Sequence, residues 1–146
     1  PANILFERSS ATTWSVPKVG DWGLAQFLTE PSTGRDGATI RYASPEQITG
    51  ENETGHHTDI YQLGTVCYEL FVGRPPFTGP PGDVAREIAG EQPAPPTEIV
   101  PELPPELDDI LLTALAKAPS DRYSHLVYLR DELQEVYEKS CGSSPR

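Results

Sequence analysis

The order of apolar and polar positions divides the chain into a short extended beginning, a long irregular stretch and a helical remainder. Residues 3–7 (Asn-Ile-Leu-Phe-Glu) and 14–20 (Trp-Ser-Val-Pro-Lys-Val-Gly) read as two short strands, and the polar run Ser9 to Thr13 between them is of hairpin type. Pro17 has no N–H to offer a ladder, so the second strand is an edge or bulged one. Residues 24–43 carry Gly, Ser, Thr, Pro and charges with no sustained period. A loop of that length in a compact domain is functional or disordered.

Helical signals then take over. Ser44-Pro45-Glu46-Gln47 is a helix start, with Ser as N-cap, Pro at the first helical position and Gln three residues after the cap. Thr58 is read as the cap of a helix over roughly 59–72, whose apolar positions Ile60, Leu63, Val66, Cys67, Leu70 and Phe71 give a wide buried face and make it the central helix. Gly73 and Pro75 end it. Asp83 to Ala89 reads as a short amphipathic helix closed by Gly90. Residues 92–105 hold six prolines and read as an extended connector, since an interior proline costs a helix about 3 kcal/mol. Leu107, Ile110, Leu111, Ala114 and Leu115 follow helical spacing up to Pro119. Ser124 caps a last helix to about Lys139, with Leu126, Leu129, Leu133 and Val136 inward and Glu135–Lys139 as an i,i+4 pair. The expected class is mainly α, with a short β-hairpin, a long loop and about five helices, followed by a disordered tail over 140–146.

Charge narrows the range of partners. The chain has 22 acidic residues against 11 basic ones, a net charge of −11, and its only lysines are Lys18, Lys117 and Lys139. Phosphate binding needs Lys and Arg to displace counterions, so nucleic acid and anionic membrane are disfavoured as partners. An acidic, lysine-poor surface also suits a halophile, whose internal salt screens self-repulsion. Two cysteines, Cys67 in an apolar helical run and Cys141 in the polar tail, make no disulfide framework and fit a reduced, cytoplasmic compartment. No segment approaches the ~20 apolar residues of a membrane helix. The beginning at Pro1, without Met or a signal pattern, reads as a truncation.

The chemistry is concentrated in Asp21-Trp22-Gly23. Asp21 stands at the end of a strand, and Gly23 allows the backbone to turn sharply. Asn3, on the adjoining strand, supplies a second hard oxygen, and the pair suits Mg²⁺ with waters and phosphates completing the shell. The same residues also read as a plain strand-to-loop turn with a strand-end Asn.

From Pro1 to about Tyr137 the motifs resemble, in order, the C-terminal lobe of a eukaryotic-type (Hanks-type) serine/threonine protein kinase of bacterial or archaeal flavour. Pro1-Ala2-Asn3-Ile4-Leu5 resembles the end of the catalytic loop H-R-D-x-K-P-x-N, and Lys18 to Ala25 the strand into the D-F-G motif, with Trp22 in place of Phe. Thr39-Ile40-Arg41-Tyr42-Ala43-Ser44-Pro45-Glu46 resembles T-x-x-Y-x-A-P-E, with Ser44 in place of Ala. Thr58-Asp59-Ile60-Tyr61-Gln62-Leu63-Gly64 resembles the start of the family's central helix, Gly73-Arg74-Pro75-Pro76-Phe77 the turn after it, and Lys117 to Tyr123 the K-x-P-x-x-R segment.

The resemblance implies ATP and Mg²⁺ as cofactors, a protein substrate, Asn3 and Asp21 as metal ligands beside Gly23, and Thr39 as a residue supporting the catalytic Asp. It implies that Asp59 is buried against the catalytic loop; the alternative is helix-dipole complementarity, about 0.3–1 kcal/mol. It implies that Glu46 and Arg122 form a buried ion pair; the alternative is a solvated Arg122. Thr29, Ser32 and Thr33 fall in the activation loop as possible phosphosites, or as polar filler. The adjacent His56 and His57 read as polar loop, not as a metal site.

The expected unit is therefore 1–139, a partial kinase domain without its N-terminal lobe. The catalytic Asp, the catalytic-loop Lys and the glycine-rich phosphate loop have no counterpart in these residues. Phosphoryl transfer depends on positioning and charge stabilisation, so the segment alone is expected to be inactive. The alternative function is a pseudokinase or a stand-alone protein-binding lobe.

Overall fold

The computed structural model describes residues 4–8, 15–19, 40–51 and 54–142. The chain divides into two compact units, Pro1–Thr33 and Gly34–Arg146. In the first, β1 (Ile4–Arg8) pairs antiparallel with β2 (Ser15–Val19), in a register that sets Phe6 opposite Pro17. Among the described residues the sheet has only these two strands, so each is an edge, the position a proline tolerates.

The second unit is helical, and the fold is mainly α. Its described helices are α1 (Pro45–Thr49), α2 (His56–Val72), α3 (Pro81–Gly90), α4 (Pro96–Ile99), α5 (Glu106–Ala114) and α6 (Leu126–Gly142), with a 3₁₀ turn at Pro119–Asp121. Proline opens several of them. Pro45, Pro81 and Pro96 each lie in the first turn, where a missing N–H leaves no intrahelical bond unmade. This is why the proline-rich 92–105 stretch is not wholly extended: Pro96 starts the single turn α4. Its backbone N–H at Thr97 donates to Asp108 of α5 at 2.9 Å, which fixes the turn to that helix.

Two apolar clusters hold the unit together. One joins Tyr61 and Tyr68 of α2 to Phe77, Val84, Ile88, Leu111 and Leu115. The other joins Ile60 to Leu107, Ile110, Ala114, Leu129 and Val136. All five positions expected to line α5 and its exit are buried.

The buried face of α2 differs from the one its aliphatic spacing predicts. Ile60, Tyr61, Gly64, Thr65 and Tyr68 face inward, whereas Leu63, Leu70 and Phe71 are exposed, Leu70 at 71%. Size decides this. A Cβ at Gly64 would lie 2.8 Å from the Ala114 Cβ, so this glycine lets α2 and α5 approach closely along one line. The tyrosine rings then fill the flanking space, and the Tyr68 hydroxyl reaches the Ala94 carbonyl at 2.8 Å. Burying a tyrosine is favourable when its hydroxyl finds such a partner. Cys67 packs, partly buried, against the first cluster.

Helix α6 also departs from its pattern at one end. Leu129 and Val136 are buried and Leu133 packs against them, but Leu126 at the helix start is 42% exposed. The helix runs on to Gly142, into the expected disordered tail. Glu135 and Lys139 approach to 3.9 Å on its exposed side.

Candidate functional site

The segment 40–47 is held to the helical unit by one buried polar cluster. Glu46, the second residue of α1, points into the core because Pro45 presets the helix entry and Ser44 caps it. Gln47 reaches back, its Oε1 accepting from the Ser44 N–H at 2.9 Å and from the Ser44 hydroxyl at 3.3 Å. The same oxygen accepts from Gln62 Nε2 of α2 at 3.1 Å. A local cap is thereby tied to the long helix.

Arg122 meets Glu46 from 76 residues away in sequence. Its Nη1 and Nη2 donate to the two carboxylate oxygens at 2.9 and 2.8 Å, the bidentate fork that suits guanidinium and carboxylate. The three remaining N–H groups are also used. Nε donates to the Ala116 carbonyl at 2.8 Å, Nη1 to the His57 carbonyl at 2.8 Å and Nη2 to the Lys117 carbonyl at 3.0 Å. The guanidinium carbon lies 4.9 Å from the centre of the Tyr61 ring. Both side chains are shut off from solvent, at 0% and 1% exposure.

Thr58 completes the cluster. The helix α2 begins two residues earlier than its expected cap, at His56, so Thr58 lies within the first turn and not before it. There its hydroxyl accepts from the Gly55 N–H at 3.1 Å and donates to Glu46 Oε1 at 2.7 Å. Burial alone raises the Glu46 pKa. The hydrogen bonds from Arg122, the backbone and Thr58 outweigh it and hold the carboxyl at about 2. The pair is therefore ionised at neutral pH.

A second tie lies on the side of segment 40–44. The Tyr42 hydroxyl donates to Glu69 Oε2 of α2 at 2.6 Å. Burial, together with that carboxylate, pushes the phenol up to about 12, so it stays protonated and donating. The segment is thus pinned at Tyr42, Gln47 and Glu46 to three positions along one helix: Glu69, Gln62 and Thr58.

Asp59 is not where the resemblance implies. It is exposed in the first turn of α2. The carboxylate stands instead at the N-terminal end of its own helix, whose N–H groups favour an anion there. Asn3, Asp21, Gly23, Thr39, Thr29, Ser32 and Thr33 lie outside the described residues.

His56 and His57 belong to the first turn of α2, not to a loop, and their rings approach to 3.9 Å. His125 stacks on His56 at 5.9 Å, so all three histidines of the chain meet. The His56 and His57 ring planes are tilted by 39°, those of His56 and His125 by 21°. Among the described residues no group of three metal-capable side chains forms a metal site, and no helix is long and apolar enough to cross a membrane.

Several contacts escaped the sequence: Thr58 to Glu46, Gln62 to Gln47 and Tyr42 to Glu69. Polar residues on otherwise apolar helix faces are the one signal that could have marked them.

The family model for the protein kinase domain matches residues 1–137. The chain is 37% identical over 152 aligned residues to serine/threonine-protein kinase PknB of Mycolicibacterium smegmatis and 35% identical over the same length to PknB of Mycobacterium tuberculosis. It is 35% identical over 156 aligned residues to a probable serine/threonine-protein kinase of Corynebacterium efficiens. Each match covers 100% of this chain and 23% of the relative, so the chain spans about a quarter of the length of these proteins. With the motif order matched from end to end, this chain belongs to the protein kinase family.

Proposed function

We propose that this chain is part of a serine/threonine kinase that transfers the γ-phosphate of ATP to hydroxyls of a protein substrate. The observation that carries the reading is the buried Glu46–Arg122 pair. It fixes the end of the segment that would follow the activation loop to the helical unit. A substrate-binding segment must be held still relative to the reacting groups, because transfer depends chiefly on positioning.

Asn3 and Asp21 are the proposed metal ligands, with Gly23 giving the turn beside them. Their donor set fits Mg²⁺: two hard oxygen side chains and no soft ligand. When bound, the ion neutralises charge on the phosphate oxygens. Thr39 is assigned a supporting role beside the catalytic Asp. Thr29, Ser32 and Thr33 are assigned as acceptors for loop phosphorylation. We place the segment in the cytoplasm, the compartment of ATP, with a protein and not a nucleic acid as its partner.

The test is transfer from γ-labelled ATP to casein and to the kinase itself, using the full-length gene product. Asp21→Asn is expected to lower the rate at least about a hundredfold, since loss of the metal removes several kcal/mol of charge stabilisation. Equal rates in the two proteins, or no transfer by either, would leave the protein-binding lobe as the function.

A further inference from the structure

Residues 40–43 form a closed turn. The Ala43 N–H donates to the Ile40 carbonyl at 3.0 Å, which puts Arg41 and Tyr42 at the two central positions. Both neighbours of Arg41 are fastened. Ile40 packs against the first apolar cluster, and the Tyr42 hydroxyl is held by Glu69. The backbone that carries Arg41 is therefore fixed to the helical unit.

The Arg41 side chain is half-buried and unpaired. Its Nε is sealed from solvent and meets no acceptor among the described residues. Its two Nη groups make no hydrogen bond or ion pair with a described residue, and neither is shut off, so both open to solvent. Glu69, the carboxylate tied to this turn, is engaged by Tyr42. Other arginines of the chain do find acids: Arg122 holds Glu46, and the exposed Arg86 and Arg130 each lie beside an aspartate. With 22 acidic residues against 11 basic ones, a half-buried arginine without a partner calls for an explanation.

The physical consequence is a poorly solvated cation. The inner edge of the guanidinium has lost water and gained no acceptor. An anion at the outer edge therefore gains more than it would at a surface arginine, since the charge is less screened. The two Nη groups side by side match the two oxygens of a carboxylate. A phosphate shares that chemistry, but Arg41 stands on the segment assigned to the protein substrate, whose ordinary anions are Asp and Glu. The net charge of −11 repels a run of acids at long range, so a single carboxylate in neutral or basic surroundings fits best.

Resting on the kinase reading above, we propose that Arg41 sets substrate choice: its Nη groups bind the carboxylate of one Asp or Glu close in sequence to the accepting hydroxyl, in a segment otherwise neutral or basic. Arg41 takes no part in the transfer itself.

The experiment measures kcat/KM of the full-length kinase for a short alanine peptide with a central threonine and a lysine at each end, into which one glutamate is moved position by position. At one position glutamate is expected to raise kcat/KM about tenfold over alanine, as one charge-assisted pair would, with the change in KM and not in kcat. Arg41→Gln removes that difference. Arg41→Glu turns the preference to lysine at the same position, a reversal that a merely structural role would not produce. Glutamate within about twofold of alanine at every position, or a preference that Arg41→Glu leaves unchanged, overturns the site. Phosphoserine preferred to glutamate at that position overturns the choice of carboxylate. Fluorescence anisotropy of the same peptides, labelled, separates this failure from that of the enzyme. Binding that keeps the glutamate preference without turnover overturns only the kinase reading, and equal or absent binding overturns Arg41.

Discussion

Replacing Arg122 by Met tests the anchor that carries the functional reading. Methionine keeps much of the volume but removes all five donated hydrogen bonds and the charge. Glu46 would then be a carboxylate at 1% exposure with Thr58 and its own backbone as its remaining donors. Removing one member of a buried pair costs about 3–5 kcal/mol. The depression of Glu46 gives an independent figure. A carboxyl moved from 4.5 to about 2 corresponds to about 3 kcal/mol, at 1.36 kcal/mol per unit. Both figures are a large share of the 5–15 kcal/mol that holds a domain folded. Urea unfolding followed by far-UV circular dichroism reads the loss. Glu46→Leu should cost a similar amount, since it strands the guanidinium. The double variant should cost about as much as either single one, because no buried charge is left. Full recovery is not expected: the carbonyls of Ala116, His57 and Lys117 still lose a donor each. If Arg122→Met stays within about 1 kcal/mol of the parent, or the two losses simply add, the pair is not the anchor.

Three further outcomes follow from the same geometry. Glu46 has a folded pKa below its unfolded value, so its contribution is complete above pH ~4.5 and is lost as pH falls toward 2; the urea midpoint of the parent minus that of Glu46→Gln should shrink across that window, and a flat difference refutes the depression. Gly64→Ala would place a Cβ 2.8 Å from the Ala114 Cβ, and a thermal melt should show a loss of about 1–3 kcal/mol, partly restored by Ala114→Gly; an unchanged melt would mean that α2 and α5 are not in close contact. Tyr42→Phe removes the donor to Glu69 at 2.6 Å; with Glu69 only half-buried the cost should be about 1 kcal/mol, and amide exchange should quicken at 40–44 before it does in α5, so uniform protection would argue against a local tie.

Helix α5, whose core positions are aliphatic, was legible, and α2, whose inner face is built partly of Gly, Thr and Tyr, was misread. Leu107, Ile110, Leu111, Ala114 and Leu115 have helical spacing and all are buried. The apolar positions expected to line α2 have the same spacing, yet three of them are exposed, because Gly64 and two tyrosines make the closer fit to α5. Periodicity identifies a helix; it does not say which of two apolar stripes meets a neighbour when the competing stripe is built of Gly, Thr and Tyr. The proline-rich connector failed for a related reason. A proline penalty counts against a helix interior, and Pro96 stands at a helix start.

The anchor posed a different problem. No local rule relates Glu46 to Arg122, which are separated by 76 positions. Only the ordered motifs of a known family suggested the pair, and they supplied neither Thr58 nor the main-chain acceptors that make a buried guanidinium tolerable. Glu46 and those partners come from three separate elements, α1, the first turn of α2 and the exit of α5, which meet only once the helices are packed. An arginine whose five N–H groups find acceptors from that many elements reports on the assembled unit, not on its own segment. The same reasoning explains Asp59. Its burial was implied by the family resemblance alone, and a carboxylate on the first turn of a helix is already favourably placed in solvent. A buried charge therefore has to be argued from its complete set of partners: Glu46 has one here, and Asp59 does not.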